Sequence, residues 1–501
     1  MALPGITNTI LDGGLGVTTP ASSRPHVIGC CDIGPLNTPT LISNQRQLKD
    51  TFGIHGPLVD CVGYILDQAG GPVMVTRATG SVAATYAIGS GPTGATAALL
   101  PASTAGGTDN SLNLVVATSA PKLDADIVAT ITVGGARGVM KFKYSLDGNK
   151  TQSVEIQGAT TNAIGDTGTT FEWQAAAVNP YVAGQTFTGE ARAAMYNSTN
   201  LTTAHTAIDA SLLTADFFVY AGRAANAVDS VALFSNVATK MAAFVNQDRY
   251  YRAMMNIGEG TAALALASFA SLSSTRVAVL HGQFRSAPAF GVPGRALPYL
   301  PAVYAAAARA AGNVMSTDLA QTFGAETVGP LVGATEIDHN EYTQNAGLDD
   351  AKIGTLRTYA NLVGFYITNV WLKSGAGSDF EFWQHGRMMD EACKTVSARH
   401  SELISSNVVC KADGTGSLVE FAALAIEKKV QRSLDAVIGS ALRGIGPTTV
   451  DGSTGHVSDQ KYQVDRTNNV LSTKTLIATV SIVPRGYLKQ LQTTLSYKLA
   501  V

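Results

Sequence analysis

The sequence predicts a multidomain α/β protein with an all-β insertion and a C-terminal α+β domain that carries terminal strand arms. Three observations predict this fold class. Strand and helix patterns alternate in residues 23–80 and return in 201–335, whereas 81–200 contain only short β-like runs. Residues 336–501 hold two long helical patterns followed by strands. In addition, a chain of 501 residues is too long for one ordinary hydrophobic core.

Residues 1–22 are predicted to form an extended N-terminal arm. They are rich in glycine, serine and threonine and almost free of charge. Leu3, Ile6 and Ile10 give this segment apolar side chains that would dock on a surface, and a disordered tail is the alternative. Fully stretched, such an arm reaches roughly 75 Å.

The α/β domain is predicted to be discontinuous, built from 23–80 and 201–335. Short apolar runs, typical of buried strands, alternate with helical stripes, and Gly53 is expected to end the first helix. Strands are predicted at 26–33, 72–76, 217–220, 254–257 and 277–280, and helices at 45–52, 58–69, 202–213 and 228–244.

The inserted domain, 81–200, is predicted to be rich in β-structure. Asp147-Gly148 gives a hairpin turn signal. Gly89 to Gly94 matches the GxGxxG pattern of dinucleotide sites, but it lies in a low-complexity run and Pro92 removes an amide, so the pattern argues against a cofactor. Strands are predicted at 112–118, 127–133, 139–146 and 153–156.

The C-terminal domain, 336–501, is predicted to contain helices at about 381–405 and 417–442. In the second helix, Glu427, Lys428 and Lys429 are expected to be exposed. The residues expected to be buried there are Leu418, Phe421, Ala425, Leu434 and Val437.

The end of the chain shows the clearest strand pattern. Residues 475–483 form a predicted strand, and Pro484-Arg485-Gly486 interrupts it. In the predicted terminal arm, 487–501, apolar and polar residues alternate from Leu491 to the last residue, which is typical of a half-buried strand. This strand must pair with a sheet edge, either of its own chain or of a neighbour. One side of the first strand carries Leu476, Ala478, Val480 and Ile482.

Composition restricts the class of function. Charged residues make up only 14%, against roughly 25% in typical soluble domains, which favours a surface covered by neighbours; a chain simply rich in small residues is the alternative. The net charge of −2 predicts no nucleic-acid partner, and no apolar run is long enough to predict membrane insertion. Five cysteines without CxxC spacing argue against a disulfide framework and a zinc site.

No catalytic, cofactor-binding or metal-binding residue is predicted. The sequence contains no GxxxxGK[ST], HExxH or GxSxG motif. The densest group of potential metal ligands is Glu336, Asp338, His339 and Glu341, which could bind Mg²⁺ or Ca²⁺. The preferred interpretation of this stretch is a solvated linker before the last domain.

Several weak matches in the expected order make the chain similar to contractile phage tail sheath proteins. One match is the helix that ends at Gly70-Gly71, before the strand at 73–78. The matching stretches are Gly34-Pro35-Leu36-Asn37-Thr38-Pro39, Leu41-Ile42-Ser43, Phe52-Gly53, the run from Lys141 to Gly148, and the run from Val480 to Leu488.

This resemblance implies a structural subunit, not an enzyme, that polymerises around a tail tube and contracts to drive the tube through the host envelope. The implied partners are further copies in rings or helical strands, the tail tube protein, and baseplate and tail terminator proteins. The implied location is the virion tail, assembled in the bacterial host cytoplasm. In such proteins the terminal arms add strands to neighbouring sheets by β-augmentation.

If the resemblance holds, roles for individual residues can be stated as hypotheses. Gly13, Gly14 and Gly16 would form a hinge between the arm and the body. Arg387, Lys394 and Arg399 on the first C-terminal helix are expected by default to form a solvated helix face, and the alternative is that they contact carboxylates of the tube. The interface residues of the two arms would be Leu3, Ile6, Ile10, Leu491, Leu495, Tyr497 and Leu499.

Three other functions stay open. One is another capsid- or surface-associated structural protein of similar composition. The second is an α/β enzyme, which predicts a cleft with converging polar groups. The third is a glycan-binding module in the β insertion, which predicts exposed aromatic side chains. The candidate aromatics are Tyr144, Phe171, Trp173 and Tyr181.

Overall fold

The structure, a computed structural model, forms two compact units. Unit 1 comprises residues 23–247, 251–314 and 319–383, and unit 2 comprises 248–250, 315–318 and 384–482, within the residues described. The domain boundaries expected from the sequence stay predictions. The structure describes residues 23–80, 86–89, 112–116, 121–165, 167–173, 175–176, 180–211, 214–224, 226–258, 260–322, 329–375, 377–404, 406–438 and 460–482.

Unit 1 contains the larger part of the secondary structure. Its strands are β1 (Pro25–Gly29), β2 (Thr40–Ile42), β3 (Val73–Arg77), β4 (Tyr86–Gly89), β5 (Leu112–Val116), β6 (Ala125–Val133), β7 (Lys141–Ser145), β8 (Ile156–Gln157), β9 (Thr161–Ala163), β10 (Thr169–Trp173), β11 (Thr186–Ala191), β12 (Phe217–Tyr220), β13 (Ala253–Asn256), β14 (Val277–Leu280), β15 (Gln283–Arg285), β16 (Tyr299–Pro301), β17 (Glu336–Ile337), β18 (Leu356–Tyr359) and β19 (Leu362–Ile367). Its helices are α1 (Gln45–Phe52), α2 (Pro57–Gln68), α3 (Ser198–Ala210), α4 (Ala227–Val245), α5 (Ala262–Phe269), α6 (Ala302–Gly312) and α7 (Glu341–Gln344).

The main sheet of unit 1 has six strands in the order β14-β13-β12-β1-β3-β2. All neighbours pair in parallel except β2, which is antiparallel to β3. Successive strand residues face opposite sides, so Val27 packs with α1, α2 and α6 while Ile28 packs with α3, α4 and α5. Helices cover both faces of the sheet, which explains the continuous apolar runs of these strands. The strands predicted at 217–220 and 277–280 are confirmed.

Local capping fixes both ends of α1, and the end at Gly53 is the one that the sequence predicted. The side chain of Asn44 accepts a hydrogen bond from the Gln47 amide at the N-cap. Gly53 ends the helix with φ of 80°, a conformation that favours glycine.

The inserted β structure consists of two antiparallel sheets, β4-β11-β6-β7-β8 and β5-β10-β9. Trp173 lies at the centre of its core, with ring centroids of Phe142, Phe171 and Tyr181 at 4.6, 5.7 and 5.4 Å. The four aromatic residues that a glycan-binding module would expose are therefore core residues: Tyr144 is 4% exposed, Phe171 0%, Trp173 0% and Tyr181 2%.

Helix α4 is long and apolar enough to cross a membrane by length and composition alone. One face of α4 packs on the main sheet, where Phe234, Val237 and Met241 join a hydrophobic core. The core helix of a soluble fold meets the same criterion.

Unit 2 contains two long helices and a β-hairpin around a separate core. Its elements are α8 (Trp383–Ser401), whose first residue belongs to unit 1, α9 (Glu420–Val437), β20 (Gln460–Val464), α10 (Val470–Thr473) and β21 (Ala478–Ile482). In the strand predicted at 475–483, the side that carries Ala478, Val480 and Ile482 packs on this core, as expected.

The buried stripe of α9 differs from the predicted one. Phe421, expected to be buried, is 68% exposed, and Val437 is 38% exposed. For Phe421 the reason is the helical period, since it lies two positions from the buried Ala423 and residues two positions apart point about 200° apart around an α-helix. The residues that face the core are Ala423, Ile426, Val430 and Leu434.

Candidate assembly surface

Most sequence-predicted site residues lie outside the residues that the structure describes. This holds for the arm residues Leu3, Ile6, Ile10, Leu491, Leu495, Tyr497 and Leu499 and for the hinge residues Gly13, Gly14 and Gly16. Their assigned roles stay predictions.

The three basic residues predicted to contact the tube lie on α8. Arg387 is buried, with 6% of its surface exposed. Lys394 contacts Glu391 at 3.4 Å. Arg399 donates to Ser433 Oγ at 2.7 Å and to Glu402 Oε1 at 2.6 Å. The tube contact stays a prediction, and Arg399, whose side chain is 40% exposed, is the most accessible of the three.

The surface that the terminal arms would extend is the edge of the β20–β21 hairpin. These strands pair antiparallel, with Tyr462 opposite Val480 and Val464 opposite Ala478. The Asp465 amide donates to the Ile477 carbonyl at 2.9 Å. Hydrogen-bonded and non-hydrogen-bonded pairs alternate along an antiparallel ladder. Because Asp465 and Ile477 form a hydrogen-bonded pair, Tyr462–Val480 and Val464–Ala478 are non-hydrogen-bonded pairs, and their amides and carbonyls point away from the partner strand.

Side chains of α9 cap the outward groups of β20. The Tyr462 amide donates to Gln431 Oε1 at 2.9 Å, and the Val464 amide donates to Glu427 Oε1 at 2.7 Å. Four helical residues advance about 6 Å and two strand residues about 6.8 Å, so an i, i+4 pair on the helix matches successive outward amides of the strand. Glu427 and Gln431 are such a pair.

Arg466 completes this cap. Its guanidinium donates to the Val464 carbonyl at 2.8 Å and holds Glu427 in a two-pronged contact, with Nη2 to Oε2 at 2.9 Å. It also reaches Glu420 Oε1 at 3.0 Å. The hydrogen bond from Arg466 lowers the pKa of Glu427, and the two carboxylates raise the pKa of Arg466.

Sequence reasoning missed this role of Glu427, which it placed on the exposed face. The Glu427 side chain is only 14% exposed. The available signal was the Glu-x-x-x-Gln spacing beside a buried stripe, but solvated helix faces carry the same pattern. The partner strand begins 33 residues later in the chain, at Gln460.

A buried polar contact holds the other face of β20. The Tyr462 hydroxyl and His400 Nε2 are 2.7 Å apart, and Tyr462 is 3% exposed. Burial raises the pKa of Tyr462 to about 12 and lowers the pKa of His400. Both groups are therefore neutral near pH 7, which suits a hydrogen bond inside a core.

The outer edge of β21 differs from that of β20. The same alternation directs the amides and carbonyls of Ala478, Val480 and Ile482 away from β20. Among the residues that the structure describes, no further backbone hydrogen bond to these three is found. Their side chains are half-buried on the core, while Thr479 and Ser481 are exposed.

The α/β-enzyme alternative predicts a cleft where strand order reverses in the main sheet, between β1 and β12. Side chains fill this crevice. Tyr304 donates to the Pro57 carbonyl at 3.0 Å and accepts from the Gly222 amide at 3.1 Å. The cavity lined by Met195, Tyr196 and Gly222 measures about 10 Å³.

A polar cleft of about 240 Å³ lies beside the ends of β13 and β14. Its charged groups pair with one another, since Arg192 contacts Asp126 at 3.4 Å and Glu190 at 3.0 Å. Asn256 Oδ1 and both ring nitrogens of His281 have no hydrogen-bond partner among the protein atoms described. Three carboxylates line the cleft, those of Asp126, Glu190 and Asp338, and Arg192 neutralises the first two.

The group of acidic residues and histidine near 336–341 is not a solvated linker. His339 is 8% exposed and lies 2.7 Å from Glu341 Oε2. Glu336 lies in β17 and pairs with Lys150 at 2.8 Å and Arg285 at 3.2 Å. Within the described ranges, no cluster of three or more His, Cys, Asp or Glu side chains could hold a metal ion.

Residues 3–370 match the model of a protein family, described as DUF2586, N-terminal domain. The chain belongs to the DUF2586 family. The description names no activity, and no curated protein matches this DUF2586 protein in sequence.

The DUF2586 protein is similar to solved structures of the anti-feeding prophage (AFP) baseplate and of a sheath tail protein. It matches a chain of the anti-feeding prophage (AFP) baseplate, 6-fold symmetrised, at 9% identity and TM-score 0.53, covering 100% of both chains. It matches a chain of the AFP baseplate in contracted state at 12% identity and TM-score 0.52, covering 99% of this chain and 98% of that one. A sheath tail protein from Listeria innocua matches at 10% identity and TM-score 0.46, covering 94% of both chains.

The two AFP likenesses extend over almost all of each chain and show a shared fold. The mixed α/β fold with several sheets that the sequence predicted is confirmed.

Proposed function

We propose that this protein is a sheath-type subunit of a contractile tail, polymerising around a tail tube and contracting to drive the tube through a host envelope. The observation that carries the proposal is the full-length likeness to chains of the AFP baseplate, one of them in a contracted state. The low charge content of 14% supports it, because much of a polymer subunit's surface is covered by neighbours.

The proposed contact between subunits is β-augmentation, in which an arm of one chain adds a strand to the hairpin of another. The two-stranded β20–β21 sheet supports this proposal, since the outer edge of β21 carries outward backbone amides and carbonyls with which an added strand can pair. A head-to-tail contact of this kind does not satisfy itself within a pair, so it extends into rings or helices.

The remaining parts of the proposal concern movement and partners. Gly13, Gly14 and Gly16 form a hinge that lets subunits rotate while their arms stay paired. The partly exposed Lys394 and Arg399 on α8 contact the tube, whereas Arg387 is buried. Baseplate and terminator proteins cap the two ends, and the assembled sheath is part of the virion tail. The chain has no catalytic role in this proposal.

Electron microscopy of the purified full-length chain, alone and co-expressed with its tube protein, tests the proposal. We expect rings or tubes with a regular axial repeat, and rings of six copies if the chain occupies the position of its 6-fold symmetrised AFP neighbour. A chain that stays monomeric at all concentrations, with and without tube protein, would contradict the proposal.

A matched pair of variants tests the arm. Leu495→Asp places a charge on the apolar side of the predicted terminal strand, and Thr494→Asp places the same charge on its polar side. We expect the first to abolish polymers and the second to leave them, because only the apolar side becomes buried on pairing. Equal behaviour of the two variants would contradict a strand-like arm.

A further inference from the structure

We propose that the polar cleft beside the ends of β13 and β14 binds a small neutral molecule with adjacent hydroxyl groups, a polyol or a single sugar ring. The cleft has a volume of about 240 Å³ and lies between the main sheet and the inserted β structure. Asn256 and His281 line it on the side of the sheet, and Asp126 and Glu190 line it on the side of the insertion. All four residues belong to unit 1, whereas the β20–β21 hairpin belongs to unit 2.

The cleft lies at the carboxyl edge of the main sheet, which is where α/β folds bind ligands. Asn256 is the last residue of β13, and its register partner Leu280 is the last residue of β14. His281 follows Leu280 directly. Two neighbouring parallel strands therefore end with a polar side chain in the wall of the same cleft.

Asn256 presents a hydrogen-bond acceptor to this cleft. Its side-chain nitrogen donates to the Ile257 carbonyl at 2.9 Å, which fixes the orientation of the amide. Asn256 is 5% exposed, and its Oδ1 has no partner among the described protein atoms. Because a buried acceptor without a partner is costly, this oxygen needs a donor from outside the protein.

His281 adds a donor and a second acceptor. Its ring is held without using either nitrogen, since the His281 amide donates to the Gly354 carbonyl at 2.8 Å and the ring stacks on His339 at 5.6 Å and 11°. His281 is 7% exposed, and both ring nitrogens lack a partner within the described ranges. Burial lowers the pKa of His281 to about 4, so near pH 7 the neutral ring has one N–H and one bare nitrogen.

The arginines of the cleft are already matched by carboxylates. Arg192 contacts Asp126 at 3.4 Å and Glu190 at 3.0 Å. Arg223, whose side chain is 8% exposed, lies 4.0 Å from Asp124. An anionic ligand would have to displace these carboxylates, so the wall does not favour a negative charge.

The third carboxylate of the wall does not favour a cation. Asp338 accepts hydrogen bonds from the Gln283 amide at 2.6 Å and from the Gln283 side chain at 3.1 Å. Burial raises the pKa of Asp338, which works against a full negative charge there. The charges of the cleft therefore select a neutral ligand.

The unmet hydrogen bonds and the volume restrict this neutral ligand further. Asn256 and His281 together require two donors and one acceptor. Two adjacent hydroxyl groups meet this requirement, because each hydroxyl both donates and accepts. Since about 240 Å³ is below the roughly 300 Å³ at which pockets for drug-sized ligands begin, the ligand is no larger than a single sugar ring.

Saturation-transfer difference NMR on the full-length chain tests the proposal. The hydroxylated probes are glucose, mannose, myo-inositol and glycerol, and the comparison probes are acetamide, which is a neutral amide, and inorganic phosphate. We expect transfer to at least one hydroxylated probe. Transfer to none of the probes, or to acetamide or phosphate but to no hydroxylated probe, would overturn the proposal.

Two variants place the binding in this cleft. His281→Phe keeps a flat ring beside His339 but removes both nitrogens, and Asn256→Leu removes the acceptor at similar size. Each should weaken binding of the hydroxylated probe about fivefold or more. Asn361→Leu, the same change in the exposed turn between β18 and β19, is the matched control and should leave binding unchanged. Unchanged binding in His281→Phe and Asn256→Leu would overturn the proposal.

The stability of the free His281→Phe protein separates a ligand contact from a structural one. The nitrogens that this change removes have no partner in the described part of the protein, so the midpoint of thermal unfolding should stay the same or rise. A lower midpoint would show that His281 serves the fold and would contradict its role in the cleft.

Hydrogen exchange on the unmodified chain gives an answer even where a variant fails to fold. Adding the hydroxylated probe should slow exchange in peptides that contain Gly258 or His281, which both line the cleft. Peptides of α8 in unit 2 should exchange as before. A bound probe that leaves both cleft peptides unchanged would overturn the proposal.

Discussion

A buried ion pair between Asp60 and Arg295 should determine the stability of unit 1, and the perturbation we consider is Asp60→Asn. Asp60 lies on α2, and Arg295 lies between β15 and β16, 235 positions away. Arg295 Nη2 lies 2.7 Å from Asp60 Oδ2, and Nη1 lies 3.3 Å from Oδ1. The Arg295 side chain is 2% exposed, and its Nε donates to the Asp124 carbonyl at 3.2 Å. Burial acts to lower the pKa of Arg295, but Asp60 outweighs burial and raises it.

The magnitude follows from what remains after the carboxylate is lost. Asp60→Asn keeps the shape of the side chain but leaves the Arg295 guanidinium buried without a counter-charge, a situation that costs about 3–5 kcal/mol. Replacing both residues, Asp60→Leu with Arg295→Met, removes both charges and should cost less than the single change. Its main cost is the Asp124 carbonyl left without a donor, about 1–3 kcal/mol.

Guanidinium chloride unfolding followed by circular dichroism measures these costs. The chain forms two compact units, so the curve should be fitted with separate transitions. The control is Asp67→Asn on the exposed side of the same helix, where we expect a change within about 0.5 kcal/mol. An Asp60→Asn cost below about 1 kcal/mol, or a double variant less stable than the single one, would refute the reasoning.

Three further predictions concern other parts of the chain. Glu427→Gln should reduce the acid sensitivity of unit 2: the Glu427 pKa is lowered in the folded state, so its contribution is present above the ordinary glutamate pKa of 4.5 and is lost as pH falls through the folded value, which pH-dependent unfolding measures. Burial lowers the pKa of His205 to about 3, so the unfolded state binds more protons than the folded state between about pH 6.5 and 3. The free energy of unfolding therefore decreases as the pH falls through that window, and His205→Gln should make it depend less on pH. Trp173→Ala should destabilise the insertion by about 3–5 kcal/mol in the same denaturation assay, and a cost below about 1 kcal/mol would contradict its position in the core.

The main sheet could be predicted because its strands carry their signal locally. Residues 217–220 and 277–280 are apolar at every position, and cover on both faces of a parallel sheet requires that pattern. The end of the first helix could also be predicted from the sequence, since Gly53 is needed for the backbone conformation there. These features depend on neighbours within a few positions.

The contacts that organise the candidate surface could not be predicted in the same way. Glu427 caps a strand 37 positions away, and on α9 it follows a pattern shared with solvated helix faces. The stripe of α9 was misplaced because apolar residues occur on both of its sides, and Phe421 is as hydrophobic as the residues that are buried. Which side faces the core depends on the hairpin that α9 packs against, and local periodicity does not contain this information.

The side-chain cap on β20 also gives a physical reason for a polymer with direction. A two-stranded sheet with two open edges would accept strands on both sides and would lead to branched or disordered aggregates. Glu427, Gln431 and Arg466 close one edge with side chains of the same unit. If each copy then offers one accepting edge and one strand, every subunit has two distinct contacts, and the contact between copies is heterologous. Chains or closed rings are the assemblies that such a contact permits, and both match the proposed sheath.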